Sequence, residues 1–267
     1  MGVAIKLKEI FRSGGGNSGF YESPVDWEKP YDTLRKRWEE IPTTNWESMK
    51  STDLMALSDE ALLAKWEATR ATTCAGPEFS HRGWCQVLYS DVLRGKKVMD
   101  IGSGFGIDSI TFAQRGARLT FVDIVGSNLE VLERLCKIMG LEEVQFHLFH
   151  DLGSLRKLDA DFDAIMAMGS LHNAPVHVMK PEYQELLKHL RVGGRWLQLA
   201  YPKSLWIRSG CPPFDKWGYQ LERSPWEEWY DVPKLLSMFE PAKFDVVLYH
   251  EFHRGDFNWF DLIYRGR

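Results

Sequence analysis

Short apolar runs alternate with helical segments through the middle of the chain. Each run ends in a glycine or polar turn, and the segment after the turn places apolar residues at helical spacing. Strands that alternate with helices in this way form a parallel sheet with right-handed crossovers. The predicted strands are 98–101, 119–122, 144–149, 162–168 and 195–200.

The C-terminal part departs from this alternation. Asp231 is predicted to cap a helix that runs to about Phe239. Two strands, 244–249 and 257–264, then follow across a hairpin-length turn, which predicts an antiparallel pair at the edge of the sheet. The long segment 201–230, rich in aromatic residues and proline, is predicted to be an insertion, because connections of this length are usually functional.

Three helices are predicted before the first strand, at 32–40, about 59–72 and 81–93. In the third, the predicted buried stripe consists of Trp84, Val87, Leu88 and Val92. We therefore expect an N-terminal helical cap or lid region over 1–93 and an α/β core over 94–267. A short amphipathic helix and a glycine-rich segment are expected within 1–20, either as a mobile lid or as a frayed terminus.

One stretch, Lys97 to Asp123, combines the features of a nucleoside-binding crevice; it reads KVMDIGSGFGIDSITFAQRGARLTFVD. Glycines at 102, 104 and 106 let the backbone bend sharply and let a ligand approach it closely. The helix that follows presents unpaired N–H groups at its start. Asp123 closes the second strand, where a carboxylate can accept both hydroxyls of a ribose. These features together predict a nucleoside ligand at the carboxyl ends of the strands.

The spacing of the glycines separates two classes of nucleoside cofactor. A dinucleotide site has the pattern G-x-G-x-x-G, whereas Ile107 occupies the third glycine position here. Asp100 directly before the turn would repel a pyrophosphate and suits a cationic ligand better. From Asp100 through Gly106 the chain resembles the first motif, D-x-G-x-G-x-G, of the class I S-adenosylmethionine-dependent methyltransferase family. The alternative is a helix-capping loop in some other α/β protein.

The resemblance implies a fold, a cofactor and a set of binding residues. The implied fold is α/β, with a Rossmann-like, mostly parallel seven-stranded sheet, a C-terminal antiparallel hairpin and helices on both faces. The implied cofactor is S-adenosyl-L-methionine, with S-adenosyl-L-homocysteine as product. Asp151 would meet the adenine amino group, with a helix N-cap as the alternative for this side chain. The implied cofactor-binding residues are Asp100, Gly102, Ser103, Gly104, Gly106, Asp123, Ile124, Asp151, Leu152 and Gly169.

The acceptor decides what else the chemistry needs. A hydroxyl acceptor requires a base, and His172, after the fourth strand, is the candidate because its ordinary pKa suits proton removal near neutrality. A purely structural histidine is the alternative. Ser170 and Asn173 are candidates for orienting substrate hydroxyls. The aromatic insertion predicts further substrate contacts, with an aromatic satellite core as the alternative, and its candidates are Tyr201, Trp206, Trp226 and Trp229.

Composition narrows the partners. The 267 residues carry a net charge of −4 without a dense basic cluster, which argues against a nucleic-acid partner. The apolar runs are too short for a membrane span, and the four cysteines lack C-x-x-C spacing. Without a secretory or myristoylation pattern at the N terminus, we expect a cytoplasmic protein that is a monomer or homodimer and holds no metal.

The sequence therefore predicts methyl transfer to a small molecule, with O-methylation of a hydroxyl on a sugar or natural-product intermediate as the first hypothesis. N-methylation of a small amine is the alternative within enzymes. A protein that binds the cofactor without transferring the methyl group is the alternative outside them. A nicotinamide-dependent oxidoreductase is the third option, which the glycine spacing disfavours.

Overall fold

The computed structural model describes residues 25–41, 43, 49–76, 79–220 and 226–267. The helix and the glycine-rich segment expected within 1–20 lie outside these residues. In the part of the chain that is described, no helix is long and apolar enough to cross a bilayer.

Seven strands form the central sheet, in the order β3-β2-β1-β4-β5-β8-β7. The strands β1 to β5 run parallel, β8 runs antiparallel to β5, and β7 runs antiparallel to β8. The short β6 pairs with the last two residues of β5. The bounds are β1 Lys97–Ile101, β2 Arg118–Asp123, β3 Val144–Leu148, β4 Phe162–Met168, β5 Leu190–Pro202, β6 Trp229–Tyr230, β7 Lys243–Phe252 and β8 Phe257–Gly266. The predicted mostly parallel sheet with a terminal antiparallel hairpin is thus confirmed.

Helices cover both faces of the sheet. A π-helical turn, Phe79–Gly83, leads into the fourth helix, and 3-10 turns follow at Leu187–His189 and His253–Gly255. The α-helices are α1 Pro30–Glu40, α2 Ser51–Met55, α3 Asp59–Thr73, α4 Trp84–Val92, α5 Ile107–Gln114, α6 Gly126–Ile138, α7 Leu152–Leu155, α8 Val176–Leu186, α9 Lys203–Arg208, α10 Phe214–Gln220 and α11 Val232–Phe239.

The core is split by the sheet into two apolar clusters. On β1, Val98 belongs to one cluster and Met99 to the other, as expected for a parallel strand that is buried on both faces. The first cluster includes residues of α2 to α6, α9 and α10; the second includes residues of α1, α7, α8 and α11. Where β1 and β4 end, between these two helical layers, the sheet leaves room for a ligand.

The rotation of α4 differs from the prediction. Trp84 and Val92 pack against the core, but Val87 and Leu88 are 68% and 48% exposed. The buried face instead carries Tyr89, whose hydroxyl donates to Asp261 at 3.0 Å, and Gln86, whose amide donates to Asp108 at 2.9 Å. The prediction was wrong for Val87 and Leu88, because the hydrogen bonds of Tyr89 to β8 and of Gln86 to α5 decide which side of this helix faces inward.

Candidate functional site

A cavity of about 410 Å³ opens at the carboxyl ends of the parallel strands. The segments after β1, β2, β3 and β4 form its floor, and residues of α1, α3 and α8 form its walls. This is the crevice in which open parallel sheets bind ligands, where neighbouring crossovers leave the sheet in opposite directions. The strands β1 and β4, whose helices leave toward opposite faces, lie side by side here.

The glycine loop after β1 borders the cavity. Gly102, Gly104 and Gly106 have φ angles of 70°, 54° and 67°, in the left-handed region that favours glycine. A Cβ atom on Gly102 would collide with Ser170, and one on Gly106 would collide with Leu132. The loop therefore needs glycine for both its conformation and its packing, and its backbone is open to a ligand.

Asp123 connects the loop to the next strand. One carboxylate oxygen accepts the Gly104 N–H at 3.0 Å, and the other accepts the Val125 N–H at 2.8 Å and the Asn128 amide at 3.2 Å. Burial raises the pKa of Asp123, although these three N–H donors act in the opposite direction. The side chain lines the cavity together with Ile124, so a carboxylate is presented where the sequence predicts a ribose.

Asp100 lies behind the loop. It is 2% exposed, does not line the cavity, and accepts a hydrogen bond from the Ser109 hydroxyl. Burial raises the pKa of Asp100 to about 7. Ser103, by contrast, lines the cavity, and its hydroxyl donates to the Asp100 carbonyl at 3.1 Å. Of the predicted residues in this motif, the three glycines and Ser103 thus line the cavity, whereas Asp100 is buried behind the loop and contacts it through the Ser103 hydroxyl.

The acid after β3 is placed away from the cavity. Asp151 is exposed and caps α7, where its carboxylate accepts the Ser154 N–H at 2.8 Å. This is the N-cap alternative that the sequence left open. Neither Asp151 nor Leu152 lines the cavity; Phe149, two residues earlier, does. Contact of Asp151 and Leu152 with an adenine therefore stays a prediction.

The turn after β4 contributes Gly169, Ser170 and Asn173 to the cavity wall. The Ser170 hydroxyl donates to the Ile101 carbonyl at 2.5 Å, and the Asn173 amide donates to the Ser170 carbonyl at 2.9 Å. These bonds join the turn after β4 to the end of β1. The expected contacts of Ser170 and Asn173 with substrate hydroxyls stay predictions.

His172 lies just behind this wall. It is 2% exposed, and a Cβ atom on Gly169 would lie 3.8 Å from its Cε1 atom. Its Nε2 atom is 3.2 Å from the Oε2 atom of Glu227, which is itself 1% exposed, and its ring packs on Tyr201 with centroids 4.7 Å apart. The structure thus pairs the candidate base with a carboxylate that the sequence did not single out.

The four aromatic candidates of the insertion pack against protein groups. Tyr201 contacts His172, Trp206 packs on Trp229 with centroids 5.4 Å apart, and Trp226 packs on Trp27 of the segment before α1 at 4.9 Å. Within the described residues, none of the four lines the cavity. Their contact with a substrate stays a prediction.

Two cavity residues were not identified from the sequence. Arg82, in the π-helical turn, lines the cavity and forms an ion pair with the buried Asp108. Arg70, the other arginine of this region, donates to Thr111 at 3.0 Å. Glu182, in the middle of α8, is 4% exposed and lines the cavity on the opposite side. The sequence gives no signal for either residue, because each is a single charged residue in a helical segment and belongs to no recognisable motif.

Over the residues that the structure covers, no cluster of three or more histidine, cysteine or acidic side chains is arranged to hold a metal ion. The four cysteines are unpaired with one another. The cavity offers backbone N–H groups, the Asp123 carboxylate, the Glu182 carboxyl, an arginine and apolar walls.

Comparison with known proteins agrees with this geometry. Residues 98–194 match a family model described as a methyltransferase domain. The demethylmenaquinone methyltransferase of Tropheryma whipplei strain Twist is 28% identical over 178 residues, which are 61% of this chain and 71% of that protein. A ubiquinone biosynthesis O-methyltransferase of Idiomarina loihiensis is 30% identical over 107 residues, which are 40% of this chain and 43% of that protein.

Among solved structures, 1,6-didemethyltoxoflavin-N1-methyltransferase from Burkholderia thailandensis, with bound 1,6-didemethyltoxoflavin and S-adenosylhomocysteine, superposes with a TM-score of 0.52. The match covers 81% of this chain and 89% of that chain at 18% sequence identity. A likeness at this identity supports the fold, and it does not extend to the substrate.

Proposed function

We propose that this chain, whose residues 98–194 match a methyltransferase-domain model, is a class I S-adenosylmethionine-dependent methyltransferase and that it methylates a hydroxyl oxygen on a small molecule such as a sugar or a natural-product intermediate. The proposal is supported by two relatives, one named a demethylmenaquinone methyltransferase and the other a ubiquinone biosynthesis O-methyltransferase. The choice of oxygen as the acceptor atom rests on the histidine–carboxylate pair beside the cavity.

The observation that carries the proposal is the position of Asp123 beside the glycine loop. Its carboxylate lines the cavity and holds the Gly104 N–H at 3.0 Å, so the loop and the acid form one surface for a nucleoside. When bound, S-adenosylmethionine supplies a methyl group on a positively charged sulfur. Asp123 would hold the ribose, and the loop from Gly102 to Gly104 would lie against the part of the cofactor that adjoins the ribose. The polar residues Thr72, Thr73 and Arg82 would meet the charged amino-acid end.

Positioning supplies much of the catalysis in methyl transfer, because an in-line displacement needs the reacting atoms aligned and close. A hydroxyl acceptor must also lose its proton. In the proposal, His172 takes that proton at its imidazole, and the Glu227 carboxylate, 3.2 Å from Nε2, stabilises the imidazolium that forms. Gly169 lines the cavity and lies directly in front of His172, so the acceptor hydroxyl would approach the imidazole at that glycine.

The remaining expectations belong to the same proposal. Helices α1 to α4 would act as the cap within 1–93, since residues of α1 and α3 wall the cavity. The insertion 201–230 would bind the far side of the substrate through its aromatic residues. A small-molecule partner and a cytoplasmic location complete it.

The experiment is a transfer assay with the purified chain. S-adenosylmethionine with an isotopically labelled methyl group is incubated with panels of phenols, sugars and amines, and methylated products are identified by mass spectrometry. Fragmentation then distinguishes methyl groups on oxygen from those on nitrogen. A labelled O-methyl product supports the proposal. Products found only among the amines would replace it with N-methylation, and tight cofactor binding without any product would favour a non-catalytic binding protein.

A further inference from the structure

One buried carboxyl in the cavity has no partner among the described residues. Glu182 is 4% exposed and lines the cavity wall, and neither a hydrogen bond nor an ion pair is formed by its side chain within the described ranges. Burying a polar group without a hydrogen bond is costly, so such groups in native proteins are nearly always paired. An unpaired carboxyl that faces a cavity therefore points to a partner on the ligand.

Glu185, one helical turn further along α8, shows the usual arrangement. It is 6% exposed, and its carboxylate is 2.6 Å from the ammonium of Lys188 and 3.6 Å from Arg156. It does not line the cavity. The two glutamates share a helix and a degree of burial, and they differ in whether the protein itself supplies a partner.

The two ends of the cavity differ in chemistry. The first end is lined by Leu34, Phe149, Leu171 and Met179, which belong to the apolar cluster on the side of the sheet where α8 carries Glu182. Thr69, Thr72, Thr73 and Arg82 reach the cavity from α3 and the π-helical turn, which adjoin the other face of the sheet. Asp123 lies on the floor between them. A flat, largely apolar base fits the first end, and a charged amino acid fits the second.

We propose that the Glu182 carboxyl binds the Watson–Crick edge of the cofactor's adenine. The inference rests on the proposed function, because it requires S-adenosylmethionine in this cavity. A protonated carboxyl has one O–H donor and one carbonyl acceptor, and the adenine edge presents the N1 acceptor beside the N6 amino donor. Two parallel hydrogen bonds then satisfy both partners. This contact is independent of Asp151, whose carboxylate accepts the Ser154 N–H and caps α7.

The protonation state fits this pairing. Burial raises the pKa of Glu182 to about 8, so the carboxyl carries its proton at neutral pH. The charge of Glu182 acts on three tyrosine hydroxyls, those of Tyr31 on α1, Tyr183 on its own helix and Tyr230 on β6. Burial is the main cause that raises the pKa of each of these hydroxyls. The negative charge of Asp151 also raises the pKa of Tyr31. The tyrosines thus stay neutral while Glu182 titrates, and affinity for the adenine should fall as the pH rises through about 8.

The test measures binding of S-adenosylhomocysteine by calorimetry at pH 6.5 and 9.5, without an acceptor. Glu182→Leu should weaken binding at pH 6.5 by about tenfold or more, since both hydrogen bonds are lost. Glu182→Gln, whose amide also offers one donor and one acceptor, should stay within about threefold of the wild type at pH 6.5. Between pH 6.5 and 9.5, the affinity of the wild type should fall about tenfold relative to the affinity of Glu182→Gln. Glu185→Gln is the matched control and should bind like the wild type at both.

A second ligand keeps the test independent of folding defects in the variants. The 1-deaza analogue of S-adenosylhomocysteine replaces N1 with a C–H group, and the wild type should bind it about tenfold more weakly than the natural compound. Glu182→Leu should bind both compounds equally. Equal affinity of the wild type for the two compounds, or unchanged affinity of Glu182→Leu, would overturn the contact while leaving the proposed function intact. A wild type that binds no S-adenosylhomocysteine would overturn the proposed function itself.

Discussion

The Asp123 carboxylate accepts the Gly104 N–H at 3.0 Å, across the gap between the ends of β1 and β2. The same side chain accepts the N–H of Val125 at 2.8 Å, at the start of α6. One buried acid therefore holds the glycine loop, the second strand and the following helix in a common geometry. Because it also lines the cavity, ligand binding and the shape of the loop depend on the same group.

Asp123→Ala should weaken binding of S-adenosylhomocysteine. Loss of a charged hydrogen-bond acceptor costs about 1.5–3 kcal/mol, which corresponds to a dissociation constant roughly 10 to 150 times higher. Calorimetry measures the change, with Asp245→Ala, at an exposed ion pair with Arg265, as the control. A dissociation constant equal to that of the wild type would remove Asp123 from the binding site.

Gly102→Ala should destabilise the protein more than Gly140→Ala does. Both glycines have φ near 70°, so both variants carry the strain of a side chain in the left-handed region, about 1–2 kcal/mol. A Cβ atom at Gly102 also collides with Ser170, whereas one at Gly140 meets no atom within 4 Å. Overpacking of this kind adds about 1–3 kcal/mol to the loss in unfolding free energy. Urea unfolding of both variants measures the difference, and equal losses would show that the turn after β4 moves aside freely.

His172→Ala should lower kcat by about 10² to 10⁴-fold and leave the affinity for S-adenosylhomocysteine unchanged, because a general base acts on the acceptor. Glu227→Gln should lower kcat less and alter its pH profile, since the neutral amide no longer stabilises an imidazolium. His150→Ala, at an exposed position, is the control. Turnover of His172→Ala at the wild-type rate would assign this histidine to packing against Tyr201.

The buried Asp100 should make stability depend on pH. Its folded-state pKa, about 7, is above the ordinary value of 3.8 for an aspartate, so the folded protein holds the proton more tightly than the unfolded chain. The stabilisation is complete below about pH 4 and is lost as the pH rises toward 7, by up to roughly 1.4 kcal/mol per pH unit. Above about pH 7 no further loss is expected from this group.

Asp100→Asn should remove this slope while keeping an acceptor for Ser109. The measurement is the difference in unfolding free energy between wild type and variant from pH 5 to 8.5. For the control Asp161→Asn the difference should be flat over this range, because Lys97 lowers the pKa of that exposed carboxyl and its titration lies below the window. A flat difference for Asp100→Asn as well would mean that Asp100 is ionised throughout.

Local pattern was sufficient where neighbours in the sequence decide the structure. The strand 162–168 was predicted with the bounds that β4 has, and Asp231 caps α11 by accepting the Lys234 N–H at 2.9 Å. The glycine loop and its acid also followed from sequence, since positive φ angles and a strand end leave clear residue signatures. Local chemistry also marked Asp151 as a possible N-cap, and the structure uses it as one.

Prediction was weaker where distant segments meet. Val87 and Leu88 were expected to be buried, and the bonds of Tyr89 and Gln86 to other elements turned that face outward. Asn128 lies inside α6, and its side-chain amide donates to Asp123 at the end of β2, a bond that the pattern of the helix alone does not indicate.

The order of residues alone determined the alternating α/β architecture, the glycine loop and the acid that faces it, because periodicity, turn geometry and strand ends are properties of short segments. Only the tertiary structure decided that Glu182 and Arg82 border the cavity, that Glu227 stands beside His172, and that Asp151 does not line it. These relationships join residues from separate elements, and their proximity arises when the two helical layers close over the sheet and bury side chains whose partners lie far along the chain.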